Sequence, residues 1–461
     1  MKKIIFSIAS LVLVSASFTS CTEDSLLPKV VDKIDITTNP ITTVSGLRNV
    51  VNGAYKYMSQ YPYYGRDYVI YNEVHSDNAF SNGNSGRFVN EAEFKTLLTS
   101  GYANETWATM YQVIAMANIA INANITSGSQ SEIDAIKAEA YALRALVHFD
   151  LMKLYGQQNV TVSTTSLTVP YITQYGVVTL ENSTRLTLAE LKDKLNEDLD
   201  LAIAQSSLDT SNKTSINKQA ILALKSRIAL YLAPFFGDAE YNTALVAAEE
   251  ALTLGGRVVA GSDYNSSFEL GEVGSNSVFE LQFLSNDNLG VNSLFQIYSN
   301  SPYGDVYVAK NVKETLFADA NDIRGTKIEL VGNFHRNNVK YLNRADNVKI
   351  IRFEEIVLTA AEAALRTGDS NRALELVNTI VTNRGLQAYT SVDLDTVLLE
   401  RRKELIFEGF RFDDLMRTQQ AIPAITERSA ANTPAYGDTR LAFPIPQAET
   451  NVSPIQQNLG Y

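Results

Sequence analysis

The chain has 461 residues, of which 45% are hydrophobic and 20% charged, so it can bury a substantial core. Its formal net charge is −12, from 39 basic and 51 acidic residues, and no Lys/Arg cluster interrupts this acidic character. An acidic surface repels phosphate polyanions, which argues against nucleic acid as a partner.

The N-terminus has the pattern of a lipoprotein signal peptide over residues 1–20. Two lysines precede an apolar run that ends near Phe18, and Cys21 follows directly after small residues. The run is shorter than the roughly 20 apolar residues that span a bilayer. Cys21 is the only cysteine, so the sequence predicts lipidation there and no intramolecular disulfide. Plain secretion, with Cys21 incidental, is the alternative.

Residues 21–39 are polar and are predicted to form a lipidated tether, followed by a single domain over residues 40–461. The first clear helix surrounds Trp107, whose side chain is predicted to be buried in an apolar stripe. A second helix covers about 131–155 and stops at Gly156. A third begins with a capping box at 187–190.

Two helix pairs, at about 217–254 and 352–384, have the length and alanine content of tetratricopeptide-like units. The first helix of the 217–254 pair is predicted to break at Pro234. Residues 261–347 separate the pairs; they are rich in Asn, Ser, Gly and Asp and predict loops with a few short strands. The fold class is therefore mostly α, with helical hairpins around a shared core and long loops.

Catalytic and metal-binding motifs are absent from the sequence. The three histidines, His75, His148 and His335, are far apart, and no P-loop, Gly-x-Ser-x-Gly or His-Glu-x-x-His pattern occurs. We therefore expect no enzyme activity, no catalytic residue, no metal site and no cofactor. Acidic clusters near 286–288 and 319–322 are better explained as solvated loops than as calcium sites. A surface glycosidase stays open, because it needs only two suitably spaced carboxylates.

The segment 61–88 is the strongest ligand-binding candidate. It interleaves tyrosines with polar groups, and sugars bind to aromatic platforms beside fixed hydrogen-bonding groups. The predicted ligand residues here are Tyr64, Arg66, Asp77 and Asn78. In the alternative, Tyr68 to Val74 forms a strand whose tyrosines pack inward. A second candidate is the loop at 286–310, with Tyr298 and Tyr303.

The segment 401–417 alternates acids and arginines with large apolar residues, which predicts internal ion pairs beside a packed face. At this segment the chain resembles the SusD/RagB family of outer-membrane lipoproteins of Bacteroidetes. The same resemblance extends to other parts of the chain. The residues that carry it are Arg401-Arg402, Glu404-Leu405, Phe407-Glu408-Gly409, Ala142-Leu143-Arg144-Ala145, Asn383-Arg384-Gly385-Leu386 and Phe443-Pro444-Ile445-Pro446.

The resemblance implies a helical fold with tetratricopeptide-like hairpins and a lipid-anchored, surface-exposed position at the cell outer membrane. It also implies a partner, a SusC-like TonB-dependent transporter, for which the protein would capture oligosaccharide nutrient. A peptide-binding lid for the same kind of transporter is the alternative. The chain contains one tryptophan, which argues against a large polymeric glycan such as starch.

Overall fold

The computed structural model describes residues 40–176, 184–207, 209–269, 273–299 and 303–461. The predicted signal peptide (1–20), the lipidation site Cys21 and the predicted tether (21–39) lie outside the described residues. From Thr42 to Tyr461 the chain forms one compact unit.

Helices dominate the regular structure, which confirms the prediction of a mostly α fold. The helices are α1 (Val44–Met58), α2 (Asp67–Val74), α3 (Val89–Ala92), α4 (Gly101–Asn122), α5 (Gln130–Tyr155), α6 (Gln158–Thr161), α7 (Leu188–Gln205), α8 (Lys218–Phe236), α9 (Asp238–Thr253), α10 (Leu294–Tyr298), α11 (Phe353–Arg366), α12 (Ser370–Thr382), α13 (Leu394–Leu405), α14 (Arg411–Arg417) and α15 (Gln447–Val452). The strands are β1 (Ala79–Ser81), β2 (Ser277–Leu281), β3 (Val306–Val308), β4 (Ile328–Val331), β5 (Phe334–Asn337) and β6 (Val348–Arg352).

The three clearest helix predictions are confirmed by α4, α5 and α7. Trp107 lies in α4 with 3% of its surface exposed, as its position in the apolar stripe predicts. The capping box at the start of α7 is complete: the Thr187 hydroxyl accepts from the Glu190 N–H, and the Glu190 carboxylate accepts from the Thr187 N–H. Local sequence signals were sufficient for these elements.

Two helical hairpins, α8–α9 and α11–α12, confirm the predicted pairs. They also pack against each other, because Ala229 and Ala233 of α8, Ala244 of α9 and Ala363 of α11 share one apolar cluster. Small side chains let these helices approach closely. The predicted break at Pro234 is wrong. Proline occupies the last turn of α8, where it removes only one helical hydrogen bond, and the helix continues to Phe236.

Helix α2 corrects the alternative in which Tyr68 to Val74 is a strand. All eight residues from Asp67 to Val74 are helical and buried. Because α2 is enclosed on every side, its sequence has no polar face, and a helical period could not be distinguished from a strand.

The segment between the hairpins forms loops with short strands, as the sequence predicted. β2 pairs with β6 in an antiparallel ribbon. β3, β4 and β5 join β1 in a four-stranded antiparallel sheet of order β1-β3-β5-β4. β2 (Ser277–Leu281) is one of these short strands.

Buried ion pairs connect α13 to the body of the protein. The Glu404 carboxylate accepts hydrogen bonds from Arg384 Nη2 at 2.8 Å and from Arg352 Nη1 at 2.9 Å. Burial would raise the pKa of the Glu404 carboxyl, but Arg384 and Arg352 hold it well below its usual range. The structural role predicted for residues 401–417 is confirmed.

Candidate functional site

Tyr64 lies in a buried cluster of tyrosines and is 6% exposed. The hydroxyls of Tyr63, Tyr64 and Tyr68 donate to the carboxylate of Asp150 in α5 at 2.6, 2.8 and 2.7 Å. Lys153 lies 3.2 Å from the same carboxylate. The cluster ties the turn before α2 to α5, so the Tyr64 hydroxyl is already committed to the scaffold.

Arg66 is also buried, and two of its guanidinium nitrogens bond to neighbouring side chains. It forms an ion pair with Asp67, donates through Nη1 to Asn292 Oδ1 at 2.7 Å, and lies 4.8 Å above the Tyr61 ring. The contact with Asn292 holds the loop at 284–293 against the start of α2. The role of Arg66 is therefore to position this loop.

Asp77 and Asn78 join β1 to the C-terminal helices. Asp77 accepts from Arg411 Nε at 2.8 Å and pairs with Arg402 Nη1 at 2.9 Å. The Asn78 side chain accepts from Arg402 Nε at 2.9 Å and donates to Glu73 at 3.0 Å. Both residues are buried. Direct ligand contact through Tyr64, Arg66, Asp77 or Asn78 stays a prediction that this arrangement does not support.

The two tyrosines of the second predicted site have different environments. Tyr298 is buried, and its ring stacks on Tyr341 with the centroids 6.3 Å apart. Tyr303 is 39% exposed, and the Arg87 guanidinium lies 4.8 Å from its ring centroid. Of the six predicted ligand residues, Tyr303 alone presents a large side-chain surface to solvent.

Three aromatic rings pack together on one side of the four-stranded sheet. Phe80 of β1 lies opposite Tyr307 of β3 in the strand register, with the ring centroids 5.7 Å apart. Phe334 of β5 packs 4.7 Å from Tyr307 and 6.0 Å from Phe80. Phe334 is 43% exposed. We call Phe80, Tyr307 and Phe334 the aromatic face.

Alternation along the strands produces this face. Val306 and Val308 are buried on the inner side of β3, so Tyr307 between them points outward. Arg336 of β5 projects to the same side as Tyr307, and its guanidinium carbon lies 3.6 Å from the Tyr307 ring centroid. Its Nη1 donates to the Gly304 carbonyl at 3.0 Å, which fixes the orientation of the tyrosine platform.

Polar groups border the aromatic face. Arg87 Nη1 lies 3.6 Å from the buried Asp305 carboxylate and 3.2 Å from the carbonyl oxygen of Val291. Asn82 donates to the Gly304 carbonyl at 2.6 Å and accepts from the Asn84 N–H at 2.9 Å. The platform is apolar, and hydrogen bonds within the protein hold its polar neighbours in place, an arrangement that suits a ligand with both apolar and hydroxyl-bearing sides.

Two of the three histidines, His75 and His148, are committed to the scaffold. His75 Nε2 bonds the Glu91 carbonyl at 3.0 Å, and His148 Nδ1 bonds the Arg144 carbonyl at 2.8 Å. Burial lowers the pKa of both imidazoles to about 3. Among the residues that the structure describes, no group of three His, Cys, Asp or Glu side chains could hold a metal ion.

Sequence reasoning missed Phe80, Tyr307, Phe334 and Arg336. The signal was the alternation Val306-Tyr307-Val308, but a three-residue strand is too short to stand out from loop sequence.

Comparison with known proteins identifies the family. A family model described as starch-binding and associating with the outer membrane matches residues 29–230. A second model, described as the SusD family, matches residues 326–461. The two matches cover separate parts of the chain in order.

The chain belongs to the SusD/RagB family. A SusD-like protein of Formosa agariphila is 24% identical over 68% of this chain and 72% of its own length. The crystal structure of a SusD superfamily protein from Bacteroides thetaiotaomicron superposes with a TM-score of 0.81 at 28% identity, covering 90% of this chain and all of that one. A Bacteroides vulgatus protein named for sugar binding superposes with a TM-score of 0.81 at 26% identity, covering 91% and 99% of the two chains.

The fold expected from the SusD/RagB resemblance is therefore confirmed, and the matched family model is described as associating with the outer membrane. No helix in the described part of this chain combines the length and apolar character needed to cross a membrane.

Proposed function

We propose that this SusD/RagB protein is a cell-surface lipoprotein of the outer membrane that binds oligosaccharide and delivers it to a SusC-like TonB-dependent transporter. Its family membership and the sugar-binding name of the Bacteroides vulgatus relative support the glycan class of ligand. Lipidation at Cys21 and delivery to the transporter rest on the sequence pattern and the resemblance.

The observation that carries the proposal is the aromatic face. A sugar ring has an apolar C–H side that packs on an aromatic ring, and hydroxyls around its edge that need hydrogen-bonding partners. Tyr307 and Phe334 supply adjacent rings, 4.7 Å apart. Tyr303, in the segment just before β3, provides a further exposed ring beside Arg87.

The proposed activity is binding without conversion. A binding face needs rigid placement of its rings, and cross-strand pairing together with Arg336 provides it. The exposed part of the platform is small, which suits a short oligosaccharide. Peptide capture on the same rings is the competing outcome, because aromatic platforms also bind peptides.

Isothermal titration of the purified protein with neutral oligosaccharides and short peptides tests the proposal. We expect a sugar to bind, and Phe334→Ala to weaken that binding at least tenfold, which corresponds to about 1.4 kcal/mol. Leu330→Ala is the matched control: Leu330 is 64% exposed on β4 but projects to the opposite side of the sheet. It should bind as tightly as the unchanged protein.

Three outcomes would contradict the proposal. Equal affinity in Phe334→Ala and Leu330→Ala would move the site away from the aromatic face. Heat from peptides alone would replace glycan with peptide as the ligand. Detection of shortened sugars by chromatography of the titrated mixture would show that the protein is an enzyme.

A further inference from the structure

A pocket that shares no lining residue with the aromatic face lies between α4, α15 and the segment at 170–172. Its volume is about 280 Å³. The residues that line it include Trp107, Tyr111, Pro170, Ile172, Glu449 and Ile455. The pocket is mostly apolar, and Ala108 and Gln112 at its mouth are exposed to solvent.

Two aromatic rings form one wall of the pocket. The ring centroids of Trp107 and Tyr111 lie 4.8 Å apart with 50° between the ring planes. The Tyr111 hydroxyl donates to the Pro170 carbonyl at 2.9 Å, which fixes the orientation of the ring. The wall is therefore held rigid before any ligand binds.

The one acidic group of the pocket is the carboxyl of Glu449 on α15. It accepts a hydrogen bond from the Trp107 indole, and within the described residues no Lys or Arg forms an ion pair with it. Burial raises the pKa of the Glu449 carboxyl. A carboxylate beside apolar walls without a counter-ion is destabilised, and a bound cation would offset that cost.

Arg185 is a cation close to Tyr111, but it is oriented elsewhere. Its Nε donates to the Thr168 carbonyl at 2.7 Å and its Nη1 to the Gln456 carbonyl at 3.0 Å. Backbone carbonyls satisfy this guanidinium, so it does not serve as a counter-ion for the Glu449 carboxylate.

We propose that this pocket binds a small organic cation, an alkylammonium or quaternary ammonium group, between the rings of Trp107 and Tyr111 and the carboxylate of Glu449. The ring faces attract the cation through their quadrupoles, and methyl groups on its nitrogen fill apolar space. The carboxylate supplies the opposite charge. The volume accommodates a group of choline size rather than a sugar chain, so this site is separate from the proposed glycan face.

Trp107 gives a direct measurement because it is the only tryptophan in the chain. We expect its fluorescence to change saturably when the purified protein is titrated with choline chloride. Sodium chloride at equal ionic strength should leave the emission unchanged. The neutral isostere 3,3-dimethyl-1-butanol has the same shape without the charge and should produce no saturable change. An equal response to this alcohol, or none to choline, would overturn the proposal.

Calorimetry of Glu449→Gln with choline tests the role of the carboxylate. We expect affinity to fall at least tenfold, while the indole hydrogen bond can still be accepted by the amide oxygen. Glu250→Gln on α9 is the control, since that carboxylate is exposed and lies outside the pocket. Unchanged choline affinity in Glu449→Gln, with circular dichroism showing a folded protein, would overturn the proposal. Oligosaccharide binding should be the same in both variants, whatever its site.

Discussion

At the scale of single residues, burial separates the tyrosines that the sequence could only group together. Tyr64 and Tyr303 lie in similar tyrosine-rich, polar surroundings in sequence. Tyr64 is buried, and its hydroxyl donates a hydrogen bond to the carboxylate of Asp150, 86 positions away. Tyr303 has no such acceptor within the described residues and stays exposed beside Arg87. A partner this distant cannot be predicted from local composition, so the candidate site was only partly predictable.

Glu73 provides a pH prediction at this scale. Burial raises the pKa of its carboxyl from 4.5 to about 7, although the Gly409 N–H and the Asn78 amide donate to it. The folded state therefore holds this proton more tightly than the unfolded state does. The resulting stability is fully present below about pH 4.5 and is lost as the pH rises through 7.

We expect Glu73→Gln to flatten the decline of melting temperature between pH 5 and pH 8, because glutamine stays neutral. The pH-dependent change in the free energy of unfolding that the variant removes is up to about 3 kcal/mol. Thermal unfolding in a series of buffers measures it. Exposed Glu250→Gln should follow the unchanged protein at every pH, and identical profiles for Glu73→Gln and the unchanged protein would contradict the assignment.

At the scale of elements, sequence signals worked where they are local. The capping box of α7 and the apolar stripe of α4 predicted those helices because each depends on residues within a few turns. The strands β1 and β3 have three residues each, too few to establish a period. Helix α2 could not be distinguished from a strand for a different reason. All of its residues are buried, so its sequence lacks the exposed polar face that marks most helices.

The ion pairs of α13 give a prediction about stability. Glu404→Gln keeps the shape of the side chain but removes the buried negative charge that Arg352 and Arg384 share, and leaves only Glu354 and Glu408 to pair with them. Removing one partner of a buried ion pair costs about 3–5 kcal/mol. We expect a loss of this size in urea unfolding. The matched control is Arg372→Gln, which breaks a half-exposed pair with Glu249 and should cost about 1 kcal/mol or less. Equal losses would contradict a special role for Glu404.

At the scale of the whole molecule, the family motifs predicted the fold. Which helices of the two hairpins contact each other is known only from the structure. The sequence predicted that the two units share a core, but it did not specify which of their helices touch. Ala363 of α11 settles the arrangement by packing among Ala229 and Ala244 of α8 and α9. Small residues that are useful for helix contact carry no information about which helix they contact.

The proposed membrane anchor is tested in cells. A Cys21→Ala variant should fold normally but no longer carry lipid, so we expect it to leave the outer-membrane fraction. Membrane fractionation followed by a high-salt wash measures this, with the unchanged protein as control. Persistence of the variant in the washed outer membrane would show that another contact anchors the protein.

The segment that joins α9 to α11 begins and ends at neighbouring positions on the helical scaffold. Gly256, just after α9, lies directly against the ring of Phe353 at the start of α11, and the Val259 N–H donates to Glu354 at 2.9 Å. Three of the four strands of the sheet that carries the aromatic face belong to this closed segment. Doubling the length of a closed loop costs only about 0.6 kcal/mol. Changes of length inside this closed segment should therefore cost the helical frame little stability.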